Sequence, residues 1–176
     1  MNFLPIGNSS NPFKGSIQGD GSYIKGINIV SNQTENVGLF GYSEGANFTN
    51  INFLDFTVNT TTNSTNVALV FGFLNSSSVS GINLNANNSS LNRIFGNSSM
   101  YCGGLFGYVY NSTVNNVTVK NTIVEFPLCQ YTGGIFGGIH EAEIISCHNL
   151  GFSFKKKKKT EINNYLINKI SKIRNF

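Results

Sequence analysis

The chain has no tryptophan, and only 11% of its 176 residues are Asp, Glu, Lys or Arg. Soluble domains commonly carry roughly 25%. The formal net charge of +4 misleads, because it is concentrated at one end. Residues 155–174 hold eight basic side chains (Lys155–Lys159, Lys169, Lys172 and Arg174) against Glu161, whereas residues 1–154 hold four basic against seven acidic ones. The body is therefore mildly acidic, which removes the electrostatic footing for nucleic-acid binding. No apolar run approaches the ~20 residues of a membrane-spanning helix. The three cysteines lack metal-ligand spacing. No Gly-Lys-Ser/Thr follows any glycine-rich step, so these steps are not phosphate loops.

Asn, Ser and Thr stand in place of the missing charge, together with 19 Gly and 15 Phe. Helix-favouring Ala, Glu, Gln and Arg are scarce. Val, Ile, Phe, Tyr and Thr suit a pleated, half-buried surface, and 40% apolar residues are enough for a continuous core.

The order in this composition is a repeat. VGLFGY (37–42), ALVFGF (68–73), GGLFGY (103–108) and GGIFGG (133–138) each carry a Phe-Gly step. Phe40, Phe71, Phe106 and Phe136 are spaced by 31, 35 and 30 residues. Counted from each Phe, apolar residues recur at +8, +11 and +13: Phe48, Ile51, Phe53; Val79, Ile82, Leu84; Val114, Val117, Val119. The fourth copy decays to Ile144, Cys147 and Asn149, which suggests that the solenoid is ending. An opening copy without its Phe-Gly step is read at Ile24, Ile27 and Ile29. The residue before the second apolar position is Gly26, Asn50, Gly81, Asn116 or Ser146. Gly and Asn tolerate a left-handed backbone, so the chain is expected to turn there once per repeat. Between the last two apolar positions stand Asn28, Asn52, Asn83, Thr118 and His148, expected to point outward and hydrogen-bond between coils.

A fixed turn followed by a short strand suits an all-β fold, a right-handed parallel β-helix of about five coils over residues 1–154. A β-sandwich of hairpins is the rival, but only Asp20-Gly21 offers a tight-hairpin signal. Residues 155–176 form a basic tail. The lysine run reads as solvated. Ile162, Tyr165, Leu166, Ile170 and Ile173 follow a helical period, with Thr160 as a weak N-cap. The expectation is a disordered or loosely helical tail; a cap on the open solenoid end and a contact with an anionic membrane follow in that order.

The opening segment reads Leu4-Pro5-Ile6-Gly7, then Pro12-Phe13-Lys14-Gly15, then Gly19-Asp20-Gly21-Ser22-Tyr23-Ile24-Lys25-Gly26-Ile27-Asn28-Ile29. With the Gly-Leu-Phe-Gly steps that follow, it resembles the Glug-motif repeats of adhesin-like and IgA-protease-like surface and secreted proteins. The resemblance spans residues 4–150 and implies a pectate-lyase-like parallel β-helix. It implies scaffold rather than activity. Leu69 departs from the glycine found at Gly38, Gly104 and Gly134, and Asn149 departs from the apolar strand. Met1 enters directly on the Pro-Ile-Gly motif without a basic and apolar leader, which suggests a piece of a longer chain.

Candidate chemistry is sparse. Asn-x-Ser/Thr sequons begin at Asn8, Asn32, Asn47, Asn59, Asn63, Asn75, Asn87, Asn88, Asn97, Asn111 and Asn116. They read either as glycoprotein sites or as chance products of an Asn-rich chain. Cys102 and Cys129 fall in adjacent coils, to be bridged in an oxidising compartment or left as thiols. Cys147 reads as a small core residue. His140, Glu141, Glu143 and His148 are the one cluster of catalytic type, with Glu141 and Glu143 on one face if the segment is a strand. Their place in the last coil favours solvated end residues. Asp20, Glu35, Glu44, Asp55 and Glu125 occupy different offsets, as do Lys14, Lys25, Arg93 and Lys120, so no constellation of lyase or hydrolase type emerges. No catalytic, cofactor-binding or metal residue is assigned. The expectation is a non-enzymatic module, extracellular or at the cell surface, for adhesion or structural spacing, with glycans or surface proteins as partners. A polysaccharide-active enzyme and a truncated remnant of a longer repeat protein are the alternatives.

Overall fold

The structure, a computed structural model, describes residues 3–86, 92–96, 98–125, 128–154 and 169–174. All regular structure among them is β, stacked as coils of a β-solenoid. Three sheets wall the stack. The Phe-Gly sheet contains Phe40–Glu44, Phe71–Asn75, Phe106–Tyr110 and Phe136–His140. The side sheet, which precedes it in each coil, contains Asn36–Val37, Ser64–Ala68, Ser98–Gly103 and Leu128–Gly133. The long sheet follows it, through the successive rungs Ser16–Gln18, Asn47–Thr49, Ser78–Asn85, Thr113–Glu125 and Glu143–Phe154. Tyr23–Lys25, Asn28–Ser31, Asn52–Leu54, Thr57–Thr60 and Asn92–Gly96 extend those rungs.

The pairing is parallel and keeps the repeat in register: Phe40, Phe71, Phe106 and Phe136 are direct neighbours. Their rings stack through the interior with centroids 5.6, 5.0 and 5.0 Å apart, and Phe13 packs against Phe40 at 5.2 Å with its ring tilted by 49°. Phe48, Val79, Val114 and Ile144 form the next buried column, and Phe53, Leu84 and Val119 another. Burying one such side chain stabilises by about 1.5–3 kcal/mol. No coil could supply this alone, since each inward row needs the coils on either side.

The Phe-Gly step has a steric cause. A Cβ on Gly41, Gly72, Gly107 or Gly137 would lie 2.5–2.7 Å from the carbonyl oxygen of the equivalent position one coil away. On Gly72, Gly107 and Gly137 it would also lie 2.7–2.9 Å from a side-sheet amide nitrogen. The two sheets meet at backbone distance, and only glycine fits.

The expected turn at +10 is present: Asn50, Gly81, Asn116 and Ser146 have φ of 53°, 67°, 51° and 51°. Two further left-handed columns flank it. Gly45, Ser76, Asn111 and Glu141 turn the chain at +5, and Asp55, Asn121 and Gly151 at +15. The long sheet is thus built on a five-residue unit, a left-handed corner with buried residues one and three places later. Ala46 and Phe48, Ile51 and Phe53, and Phe56 and Val58 show three units in one coil.

This unit corrects the opening copy. Ile17 pairs with Phe48, Ile24 with Phe53 and Ile29 with Val58. The string Ile24, Ile27, Ile29 therefore lies one unit later than the sequence suggested, Asn28 pairs with Thr57 rather than joining the Asn52 column, and Gly26 turns beside Asp55. Extra residues around Gly19-Asp20-Gly21 displace the chain.

Among the described residues the parallel stack ends with the rung that holds Asn149, as the decay of the fourth copy suggests, although Asn149 itself is buried within the strand Glu143–Phe154. One further expectation changes. In the tail, residues 169–174 form a strand antiparallel to Glu143–Phe154, not a helix; residues 155–168 lie outside the described residues. The last parallel rung offers unpaired backbone groups, and pairing them outweighs a helical spacing of isoleucines.

Candidate functional site

The outward side of the Phe-Gly sheet carries a second aromatic ladder, two residues beyond the first. Tyr42, Phe73 and Tyr108 pair in register with ring centroids 4.9 and 5.5 Å apart. The fourth place is Gly138, and an added Cβ there would lie 2.6–2.7 Å from ring atoms of Tyr108 and Tyr101. The missing side chain lets the tyrosines close over this position. Tyr101 from the side sheet meets Tyr108 edge-on at 4.7 Å and stacks on Tyr131 at 5.1 Å. Two residues further on, Tyr110 stacks on His140 at 5.6 Å. Four of the seven tyrosines thus gather on the last two coils. Tyr131 is 41% exposed, and Met100 and Leu128 are exposed on the same side-sheet strands.

The first two coils use the same columns differently. Where Tyr101 and Tyr131 stand, they carry Asn36 and Asn66, both buried, with Asn66 Nδ2 donating to Asn36 Oδ1 at 2.6 Å. Lys14 pairs with Glu44 at 3.0 Å. Asn75 Nδ2 donates to the Tyr42 hydroxyl and to Glu44.

Electrostatics in the patch favour neutral phenols. Burial, then the neighbouring Tyr101 and Tyr110, pushes the Tyr108 phenol above its ordinary pKa. A hydrogen bond to Glu141, then that carboxylate's charge, raises Tyr110. Both remain protonated donors at neutral pH.

The sequence-picked residues divide clearly. His140 Nε2 lies 3.5 Å from Glu141 Oε1, both largely exposed. Glu141 and Glu143 do not share a strand face, because Glu141 occupies the left-handed corner (φ 50°) that precedes Glu143–Phe154. His148 sits beside Thr118 in the outward column, where Asn83 Nδ2 donates to Asn52 Oδ1 at 3.0 Å as expected of that column. Among the described residues, no three His, Cys, Asp or Glu side chains come together. Cys102 and Cys129 form a disulfide with Cα atoms 6.5 Å apart, joining the side-sheet strands that carry Tyr101 and Tyr131. Cys147 is buried, and its thiol is pushed up to about 12 by desolvation, so it is inert at neutral pH.

The tyrosine patch was not singled out from the sequence. Its signal was present: Tyr101 and Tyr131 both stand five residues before the repeat Phe. Comparison with protein-family models, curated proteins and solved structures gives no match.

Proposed function

We propose that the chain is a non-enzymatic β-solenoid module of a secreted or surface protein, and that it adheres to neutral glycan chains through the patch of Tyr101, Tyr108, Tyr110 and Tyr131. The observation that carries this reading is the contact of Tyr101 and Tyr108 over Gly138, extended by Tyr131 stacked on Tyr101 and by Tyr110 two residues along the strand from Tyr108. Tyrosine offers a rigid apolar face and a hydroxyl at small entropic cost, which suits a polyhydroxylated ring with apolar C–H faces. The patch has little net charge, with His140 and Glu141 at its rim, so an uncharged ligand fits better than an anionic one. The Cys102–Cys129 bridge supports an oxidising compartment, and the resemblance to Glug-motif adhesins points the same way.

The test is a binding screen of the intact chain on immobilised neutral and acidic glycans, followed by titration of the best ligand. Wild type is expected to bind a neutral glycan, and Tyr131→Ala to weaken it about tenfold, the effect of ~1.4 kcal/mol. Binding confined to acidic glycans or to protein receptors, or equal binding by Tyr131→Ala, would remove the proposal.

A further inference from the structure

Eight of the eleven sequons begin at described residues; once folded these eight are not equivalent, and the difference selects a modification site. Asn8, Asn32 and Asn63 are exposed, and so are the hydroxyl residues two places on, Ser10, Thr34 and Thr65. All three asparagines lie outside the strands. Asn8 and Asn32 line one cleft of about 370 Å³, together with Gln33, Thr34, Glu35 and Asn36. The Asn63 segment is tied beneath it, since Thr62 Oγ1 and Ser64 Oγ both donate to the Gln33 carbonyl at 3.1 and 2.7 Å. Asn8 uses its Oδ1 to accept from the Ser10 and Asn11 amides at 3.0 and 2.8 Å, bonds that do not engage its Nδ2.

Other described sequons are committed to the scaffold. Asn75 uses its Nδ2 on Tyr42 and Glu44, and its Ser77 hydroxyl is buried. Asn111 spends its Nδ2 on Ser76 Oγ at 3.1 Å. Asn47 and Asn59 stand in strands paired on both sides. Asn116 turns the chain at φ 51° inside Thr113–Glu125.

We propose that Asn8, Asn32 and Asn63 are the N-glycosylated residues among these, forming one glycan-bearing corner on the first coils while the tyrosine patch on the last coils stays bare. The inference rests on the secreted reading above. In the transfer step, the asparagine Nδ2 attacks C1 of a sugar carried on a lipid pyrophosphate donor. The C1–N bond forms, the C1–O bond to pyrophosphate breaks, the lipid diphosphate leaves, and the Nδ2 proton passes to a base of the transferase. The folded chain then accommodates the glycan without losing a ladder bond.

The intact chain, fused to a cleavable secretion leader, is translated with glycosylation-competent microsomes, and occupancy is read by peptide mass spectrometry after glycosidase release. Expected are occupied Asn8, Asn32 and Asn63, the loss of one glycan in each of Ser10→Ala, Thr34→Ala and Thr65→Ala, and retention of the glycan in Thr34→Ser. Empty sites at these three residues, or equal occupancy at Asn75 and Asn116 in protease-resistant folded chain, overturn it. Glycan binding by Asn-glycan-free protein is measured in parallel, so failure of the corner and failure of the tyrosine patch are separable.

Discussion

The strand Phe106–Tyr110 serves two aromatic rows that face opposite ways. Inward, Phe106 continues a stack that runs unbroken through Phe40, Phe71 and Phe136, all buried. Outward, Tyr108 ends a row that began at Tyr42 and stops at Gly138. The inward row has no room to vary, because every ring needs the ring on the neighbouring coil. The outward row varies from Tyr42 through Phe73 and Tyr108 to Gly138, and the side-sheet column beside it changes from Asn36 and Asn66 to Tyr101 and Tyr131. Scaffold shows as continuity along the stack, and the candidate site shows as the place where continuity fails.

The disulfide offers the largest way to sharpen that contrast. It closes a sequence separation of 27 residues under Tyr101 and Tyr131, and its removal by Cys129→Ser is expected to cost ~3.5 kcal/mol in the chain-entropy account. Urea unfolding under oxidising and reducing conditions checks this: the two curves should differ for wild type and coincide for Cys129→Ser.

Adjacent glycines give the next effect. Gly137→Ala drives a Cβ onto the Gly107 carbonyl and the Cys102 amide, which are backbone and cannot yield. A loss of about 2–3 kcal/mol is expected. Gly138→Ala meets only rings of Tyr108 and Tyr101, which rotate, so its loss should stay below ~1 kcal/mol while the tyrosine fluorescence changes. Equal destabilisation of the two would blur the distinction between scaffold and patch.

A smaller effect comes from the serine ladder. Ser112 Oγ donates to the Tyr110 carbonyl at 2.7 Å and accepts the Ser77 amide at 3.0 Å, and Ser77 repeats this with Asn75 and Ala46. Ser112→Ala strands a buried amide, for about 1–2 kcal/mol, measured by the same unfolding curves. The smallest is a gain: Glu141 occupies a left-handed corner at φ 50°, and Glu141→Gly should stabilise by ~1 kcal/mol while it removes the acceptor of the Tyr110 hydroxyl. A melting temperature that falls instead would mean that the Tyr110 contact outweighs the corner strain.

Sequence reading recovered the inward row because one residue type repeats there at one offset. It placed the +10 corner for the same reason, since glycine and asparagine dominate that column. The +5 and +15 corners were hidden by mixed residues such as Ser76, Glu141 and Asp55. The opening copy was misplaced because apolar-x-x-apolar-x-apolar occurs twice in the coil that it pairs with, as Phe48, Ile51, Phe53 and again as Phe53, Phe56, Val58. Ile24, Ile27 and Ile29 match either, and only pairing decides. The tyrosine patch needs two sheets and two coils at once, a relation that no single motif carries. The strand at 169–174 was hidden for another reason: its conformation is set by the edge it pairs with, not by its own isoleucine spacing.

The most direct test sets Phe106→Ala beside Tyr108→Ala, two residues apart on one strand, and measures unfolding free energy and glycan affinity for both. Phe106→Ala is expected to lose about 3–5 kcal/mol of stability and, where folded, to keep its affinity. Tyr108→Ala is expected to lose about 1 kcal/mol of stability and most of its affinity. If stability and affinity fell together in both variants, the division of this strand into an inward scaffold and an outward site would be wrong.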